Sequence, residues 1–324
     1  MNRTSICFVI LAAIWLSGCN DDSTGGYIRP EPQPVWRAQL VVPRGKAPAI
    51  SPDETKMLFL REGEGLFLWD NGVVTRVSPA GLTARPDYSW SVTGENGFVY
   101  SIPGEPGNGA ALIIRDENGR TIQLWNRGSA PAYNARDNYV LCEGPTSSSA
   151  ESGIWMIDLR SFAVNRLTDV GTAPRIGRRG DYFLYLESNA LSVGDELVAR
   201  GFDGPLDEVV TDHVSRYTCD FDDGAILAER IVDSTGVSSI PAVYVTGLNF
   251  PLPDVLVAVP ATGAVWLNDG MLLNKISGDS LDGLYYYDEI SEYLVADSLY
   301  DASAHNSARI FAVGSAGIYL LSKI

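Results

Sequence analysis

The chain has 324 residues and only two histidines, with 24 Lys plus Arg set against 40 Asp plus Glu, a formal charge of −16. So acidic a surface repels nucleic acid. Two histidines exclude a three-His zinc centre.

At the N-terminus, Arg3 precedes an apolar run, Ile6 to Leu16, that ends in "LSGC". The run is about half of the ~20 residues a membrane-spanning helix needs. Small Ser17 and Gly18 admit a peptidase, and Cys19 offers a thiol for a thioether-linked diacylglyceryl group. Residues 1–18 are therefore expected to be a lipoprotein signal peptide, with lipidation at Cys19 as a bacterial membrane anchor. Asn20, rather than Asp, after that cysteine favours the outer membrane, facing the periplasm. Residues 19–34, "CNDDSTGGYIRPEPQP", are polar and Gly-rich and then carry Pro30, Pro32 and Pro34. That composition cannot bury a core and reads as an extended tether.

Residues 35–324 read as a single all-β domain. Apolar strand-like runs begin at Lys56, Gly97, Asn138, Asp181, Gly224, Gly270 and Ala308, spaced 41, 41, 43, 43, 46 and 38 residues apart. A period near 40 built of short strands is the mark of a β-propeller with one four-stranded blade per repeat. Before each run stands a polar turn, and several turns follow a small residue and Pro, as in "APAIS", "APAYN" and "APRIG". After it come a second strand ("GLFLWD", "GIWMIDL") and a further one ("VTRVS", "VNRLT"). Seven blades are expected, with six as the alternative. The last repeat is one strand short, and "PVWRAQLVV", Pro34 to Val42, is expected to complete it, removing two unpaired edges.

The turn "SPDETK" raises the question of a site, but acids, Asn and Gly recur at the same place in every repeat. Asp53 and Glu54 therefore read as turn chemistry. Cys142 and Cys219 fall in different, non-adjacent repeats and read as buried free thiols.

On "PAISPDETKMLFL", "GLFLWDNGVVTRVS", "APRIGRRGDYFLYL" and "SGIWMIDLRSFAVNRLT", the chain resembles the TolB-type propeller repeat. The likeness runs from residue 47 to 324, with Glu54 where the repeat usually has Gly. It implies the propeller fold and says little about activity.

No G-x-S-x-G or H-E-x-x-H motif is present, and neither His213 nor His305 sits in a recognisable triad, so no catalytic set is expected. The carboxylates of Asp220, Asp222 and Asp223, or of Asp279 and Asp282, could hold calcium, but neither group follows the twelve-residue EF-hand spacing, and no metal or other cofactor is expected. Inter-blade segments, which emerge with the second-to-third-strand loops on one face, carry Arg44, Lys46, Arg85, Arg175, Arg216 and Tyr217. Trp266 and His305 join them at the starts of later blades. Guanidinium groups there suit a carboxylate ligand, whereas the plainer reading pairs them with acids of neighbouring blades. The expected role is a non-enzymatic binding module for an envelope protein or peptide. The alternative is a carbohydrate-active or lactone-cleaving enzyme, because propellers resembling this repeat, oligogalacturonate lyases among them, act on anionic sugars.

Overall fold

The computed structural model describes residues 35–323 except 80–86, 93–96, 103–109, 117, 146–150, 178, 189–193, 204–205, 220–225, 234–238, 247–254, 259, 278–279, 289–290 and 305–308. Every regular element in it is a β-strand. The strand Lys56–Arg61 shows why. Met57, Leu58, Phe59 and Leu60 are each no more than 7% exposed. Alternate side chains of a strand leave by opposite faces. Met57 and Phe59 pack with Phe67, Trp69 and Phe311, while Leu58 and Leu60 pack with Trp90 and Phe98. A strand covered on both faces has to be apolar throughout, and each such side chain contributes about 1.5–3 kcal/mol by burial.

Antiparallel pairing joins Lys46–Ile50, Lys56–Arg61, Gly65–Asp70 and Val73–Arg76 into unit one. Tyr88–Trp90, Phe98–Ile102, Ala111–Arg115 and Thr121–Trp125 form unit two. Unit three is Ser129–Asn134, Tyr139–Glu143, Ile154–Asp158 and Val164–Arg166. Unit six is Ala261–Leu267, Gly270–Ser277, Ser280–Tyr287 and Glu292–Ala296.

Between three and six lies one seven-stranded sheet. Its strand Asp207–Cys219 serves twice, first beside Asp195–Gly201 as the last strand of unit four, then beside Ile226–Asp233 as the first strand of unit five. "VTDHVSRY", expected as an inter-blade loop, is therefore continuous strand. Val209, Val210, Thr211 and Val214 keep it extended, and His213 takes up the change of direction with φ 60°. The described strands thus pair into seven four-stranded units.

The last unit contains Tyr300–Ala304, Ile310–Gly314 and Gly317–Lys323, and its fourth strand is Trp36–Pro43 from the other end of the chain. Pairing runs from Trp36 with Lys323 to Pro43 with Gly317. The expected closure is observed, with the strand starting two residues later than expected. Seven apolar clusters each span two neighbouring units, and the one containing Val42, Ile50 and Phe311 links unit seven to unit one. Cys142 lies unpaired and fully buried in the cluster between units two and three, and burial raises its thiol pKa.

The "SPDETK" turn is built as expected. Asp53 Oδ1 accepts the Ser51 hydroxyl (2.6 Å) and the Thr55 N–H (3.0 Å), while Ser51 Oγ accepts the Lys56 N–H (2.9 Å). The small-Pro signature has a sharper meaning than an opening turn. Ala47, Ala130 and Ala173 have φ of 49°, 43° and 50°, and Gly263 and Asp301 take the same conformation at the matching places in units six and seven. At each, the first strand carries one extra residue against its partner. Such a bulge bends the strand and re-aims its peptide groups. The freed groups meet the neighbouring unit: the Ala173 N–H donates to Glu143 (2.5 Å) and the Gly263 N–H to Glu229 (2.7 Å).

Candidate binding site at the ring closure

Leaving Trp36–Pro43, the chain turns through Arg44 (φ 60°) and Gly45 into the first strand of unit one. Two tight turns lie beside this crossing. One, at 62–64, joins the second and third strands of unit one; the other, at 315–316, does the same in unit seven. These connections enclose a depression of about 280 Å³, lined by Arg44, Lys46, Arg61, Glu62, Glu64 and Tyr300 among others. Glycine is required at its floor, because a Cβ on Gly317 would stand 2.1 Å from the Val42 carbonyl oxygen.

Arg44 Nη2 lies 3.2 Å from Glu64 Oε1, and Lys46 Nζ lies 2.8 Å from Glu62 Oε2. The Lys46 hydrogen bond holds the Glu62 carboxyl below its ordinary pKa and itself raises that of Lys46. Both cations are more than half exposed, and an exposed pair screened by solvent contributes little. A ligand can therefore compete for them. Arg61 is held differently. Its guanidinium carbon lies 4.9 Å from the Phe67 ring centroid and 5.6 Å from that of Phe59. Its Nε is buried with no hydrogen-bond partner among the described residues.

The other expected site residues do not join this group. Arg175 and Arg216 are exposed on the first strands of units four and five, each the first residue paired after its bulge. Tyr217, expected at an open mouth, is 5% exposed, and its hydroxyl donates to the carbonyls of Ala173 (2.7 Å) and Leu184 (3.0 Å). It ties unit five to unit four, just as Trp90 Nε1 ties unit two to unit one through the Ala49 carbonyl (2.8 Å). Trp266 is partly buried against the core between units five and six. Cys19, Arg85 and His305 lie outside the described residues, as do Asp220, Asp222, Asp223 and Asp279. Among the described residues no three His, Cys, Asp or Glu side chains gather as a metal cage would require. His213 Nδ1 is 3.0 Å from Asp212, which Arg230 also contacts at 2.7 Å.

Arg61, Glu62, Glu64 and Tyr300 were not singled out from the sequence. A signal existed in "REGEG", where a cation and two acids stand at a strand-to-strand turn. The turn is short, and its acids and glycines match the turn chemistry of the other repeats, so composition does not set it apart.

Among solved structures, the chain is similar to TolB from Acinetobacter baumannii, at 12% identity and TM-score 0.51, over 85% of this chain and 62% of that one. It thus spans less than two thirds of that TolB chain. It is also similar to the β-propeller domain of the Trilobed protease from Pyrococcus furiosus (10% identity, TM-score 0.58, 87% of this chain and 92% of that). A third is an oligogalacturonate lyase from Vibrio parahaemolyticus (11% identity, TM-score 0.59, 90% and 91%). The Pyrococcus domain is described as having an open velcro topology, whereas here both chain ends pair within unit seven. No family model and no curated protein matches the chain. What these likenesses carry is the fold: the chain is a β-propeller, as the resemblance of its repeats implies.

Proposed function

We propose that this chain is a non-enzymatic envelope lipoprotein whose propeller binds a protein or peptide at the ring-closure depression, through a carboxylate of that partner. The carrying observation is that Arg44, Lys46 and Arg61 converge there on a chain of net charge −16. A local cationic surface on an acidic body steers acidic partners to one place and turns others away. The weak pairs with Glu62 and Glu64 keep the cations extended when no ligand is bound. Anchoring rests on the apolar run and "LSGC", with Cys19 as the lipidated residue and the periplasmic side of the outer membrane as its place.

The test immobilises the detergent-purified full chain and an Arg44→Glu, Lys46→Glu variant, and exposes both to envelope proteins of the source bacterium. Each retained protein is then purified and titrated alone. A salt-sensitive affinity, weakened about tenfold or more (about 1.4 kcal/mol) in a variant of unchanged melting temperature, supports the reading. Equal binding to both forms refutes it. Turnover of an acidic oligosaccharide by the wild type, with no protein retained, favours the carbohydrate-active alternative.

A further inference from the structure

We infer that Arg61 is the anchor of this depression and that its ligand is a monoanionic carboxylate. This rests on the binding-module reading of the same site and adds the class of ligand. Of the three cations at the depression, Arg44 and Lys46 already meet carboxylates, those of Glu64 and Glu62. Arg61 meets none among the described residues; its contacts are the faces of Phe67 and Phe59. The Nε–H is shut off from water and has no acceptor among the described residues. A buried donor left unmade is costly, and an acceptor admitted by a small shift of the Arg61 side chain relieves that cost.

The geometry of the group narrows the acceptor. The Arg61 guanidinium lies over the faces of Phe67 and Phe59, and its planar fork of donors matches the two oxygens of a carboxylate side by side. Glu62 and Glu64 line the same depression, so a second negative charge on the ligand would face two carboxylates. Phosphate dianions and dicarboxylates are disfavoured on that ground. The volume, about 280 Å³, is suited to a group the size of one or two amino-acid residues. Gly45, Gly314 and Gly317 in its wall leave backbone, not side chains, facing that group. The carboxylate can come from the C-terminus of a peptide or from a small free acid.

The two sources separate in a titration of the full chain in detergent, by calorimetry, with N-acetyl-Gly-Ala, its C-terminal amide and sodium acetate. The Arg61 Nε–H resonance, followed by nitrogen-15 NMR and assigned with Arg61→Lys, reports contact at the fork. Expected are binding of the free acid, none of the amide, movement of the Nε–H signal, and at least tenfold weaker binding in Arg61→Met. Arg61→Lys keeps the charge without the fork and is expected to weaken binding severalfold. A peptide acid at least tenfold tighter than acetate assigns the site to chain termini; comparable affinities assign it to small acids. Failure of every probe to bind, an amide that binds as well as the acid, or an unmoved Nε–H signal at saturation overturns the assignment. If Arg61→Met fails to fold, the wild-type resonance and the acid-against-amide comparison decide alone. An envelope partner lost by the Arg44→Glu, Lys46→Glu variant but kept by a folded Arg61→Met overturns the anchor and leaves the binding-module reading standing. Capture unaffected by either variant overturns both.

Discussion

Glu143 shows how one side chain joins two units. It ends the second strand of unit three and accepts the Ala173 N–H of unit four at 2.5 Å. Burial raises its carboxyl pKa above the ordinary value of 4.5; the Ala173 bond opposes this, the charge of Asp87 adds to it, and the Ser129 hydroxyl opposes it. A folded state that holds its proton where the unfolded chain has released it is most favoured at low pH. That stability is present below about pH 4.5 and is lost as pH rises through the raised folded value. In Glu143→Gln the slope is absent. Denaturant unfolding of both proteins across pH 3.5 to 7.5 is therefore expected to show the wild type losing stability relative to the variant as pH rises. A wild type that gains on the variant instead would mean that the hydrogen bond from the Ala173 N–H to the carboxylate outweighs burial. The sequence showed this residue only as the end of "YVLCE", because its partner stands 30 residues away in the next unit. Glu229, whose carboxylate receives Gly263 N–H and the Thr262 hydroxyl, was hidden for the same reason.

The strand Trp36–Pro43 is held by close backbone approach at one end. Gly317 has φ 144°, and a Cβ there would come 2.1 Å from the Val42 oxygen and 2.7 Å from the Arg44 nitrogen. Both atoms are backbone, so the strand itself would have to give way. Gly317→Ala is expected to cost about 1–3 kcal/mol, the usual range for overpacking, and to speed amide exchange at residues 36–43 while leaving units two to five protected. Gly72→Ala is the control: φ is 96° with nothing within 4 Å, so it strains a turn without touching closure. Equal exchange at 36–43 in the two variants would remove Gly317 from any special role. Elements apolar on both faces, such as Lys56–Arg61, were fully legible from the sequence, since no other environment tolerates "MLFL". The strand Asp207–Cys219 was not, because "TDHV" is polar and the positive φ at His213 leaves no compositional trace. Alanine before proline was visible as a recurring opener, but its positive φ was not. At the site, Arg44 and Lys46 were legible as cations between repeats. Arg61 was not, since it closes an apolar run, and it is the pairing of Lys46 with Leu60 within unit one that brings its turn beside them.

At the scale of the molecule, a ring of seven similar interfaces has one that differs in kind, because its sheet is made from both ends of the chain. The pairing of Trp36 with Lys323 joins residues separated by nearly the whole sequence. Bringing such distant segments together carries a loop-closure cost that falls on the folding rate more than on stability. The register shows how to remove it. Trp36 and Lys323 are antiparallel partners at the same end of the sheet, so a two-residue Asn-Gly turn can join Lys323 directly to Trp36. The new ends would fall between Arg44 and Gly45, at the rim of the depression, and unit seven would become four strands consecutive in sequence. Every contact of the closed ring survives this change except the Arg44 to Gly45 peptide link. The circular permutant is expected to melt within a few degrees of the natural order and to refold faster, with unfolding little changed, as measured by stopped-flow fluorescence of its tryptophans. A permutant that melts far below the natural chain would show that the 44–45 crossing, rather than the pairing of the two ends, locks the ring. Equal refolding rates would place closure after the rate-limiting step, which would then lie within the three strands of unit seven or among the six units that need no help from the N-terminus.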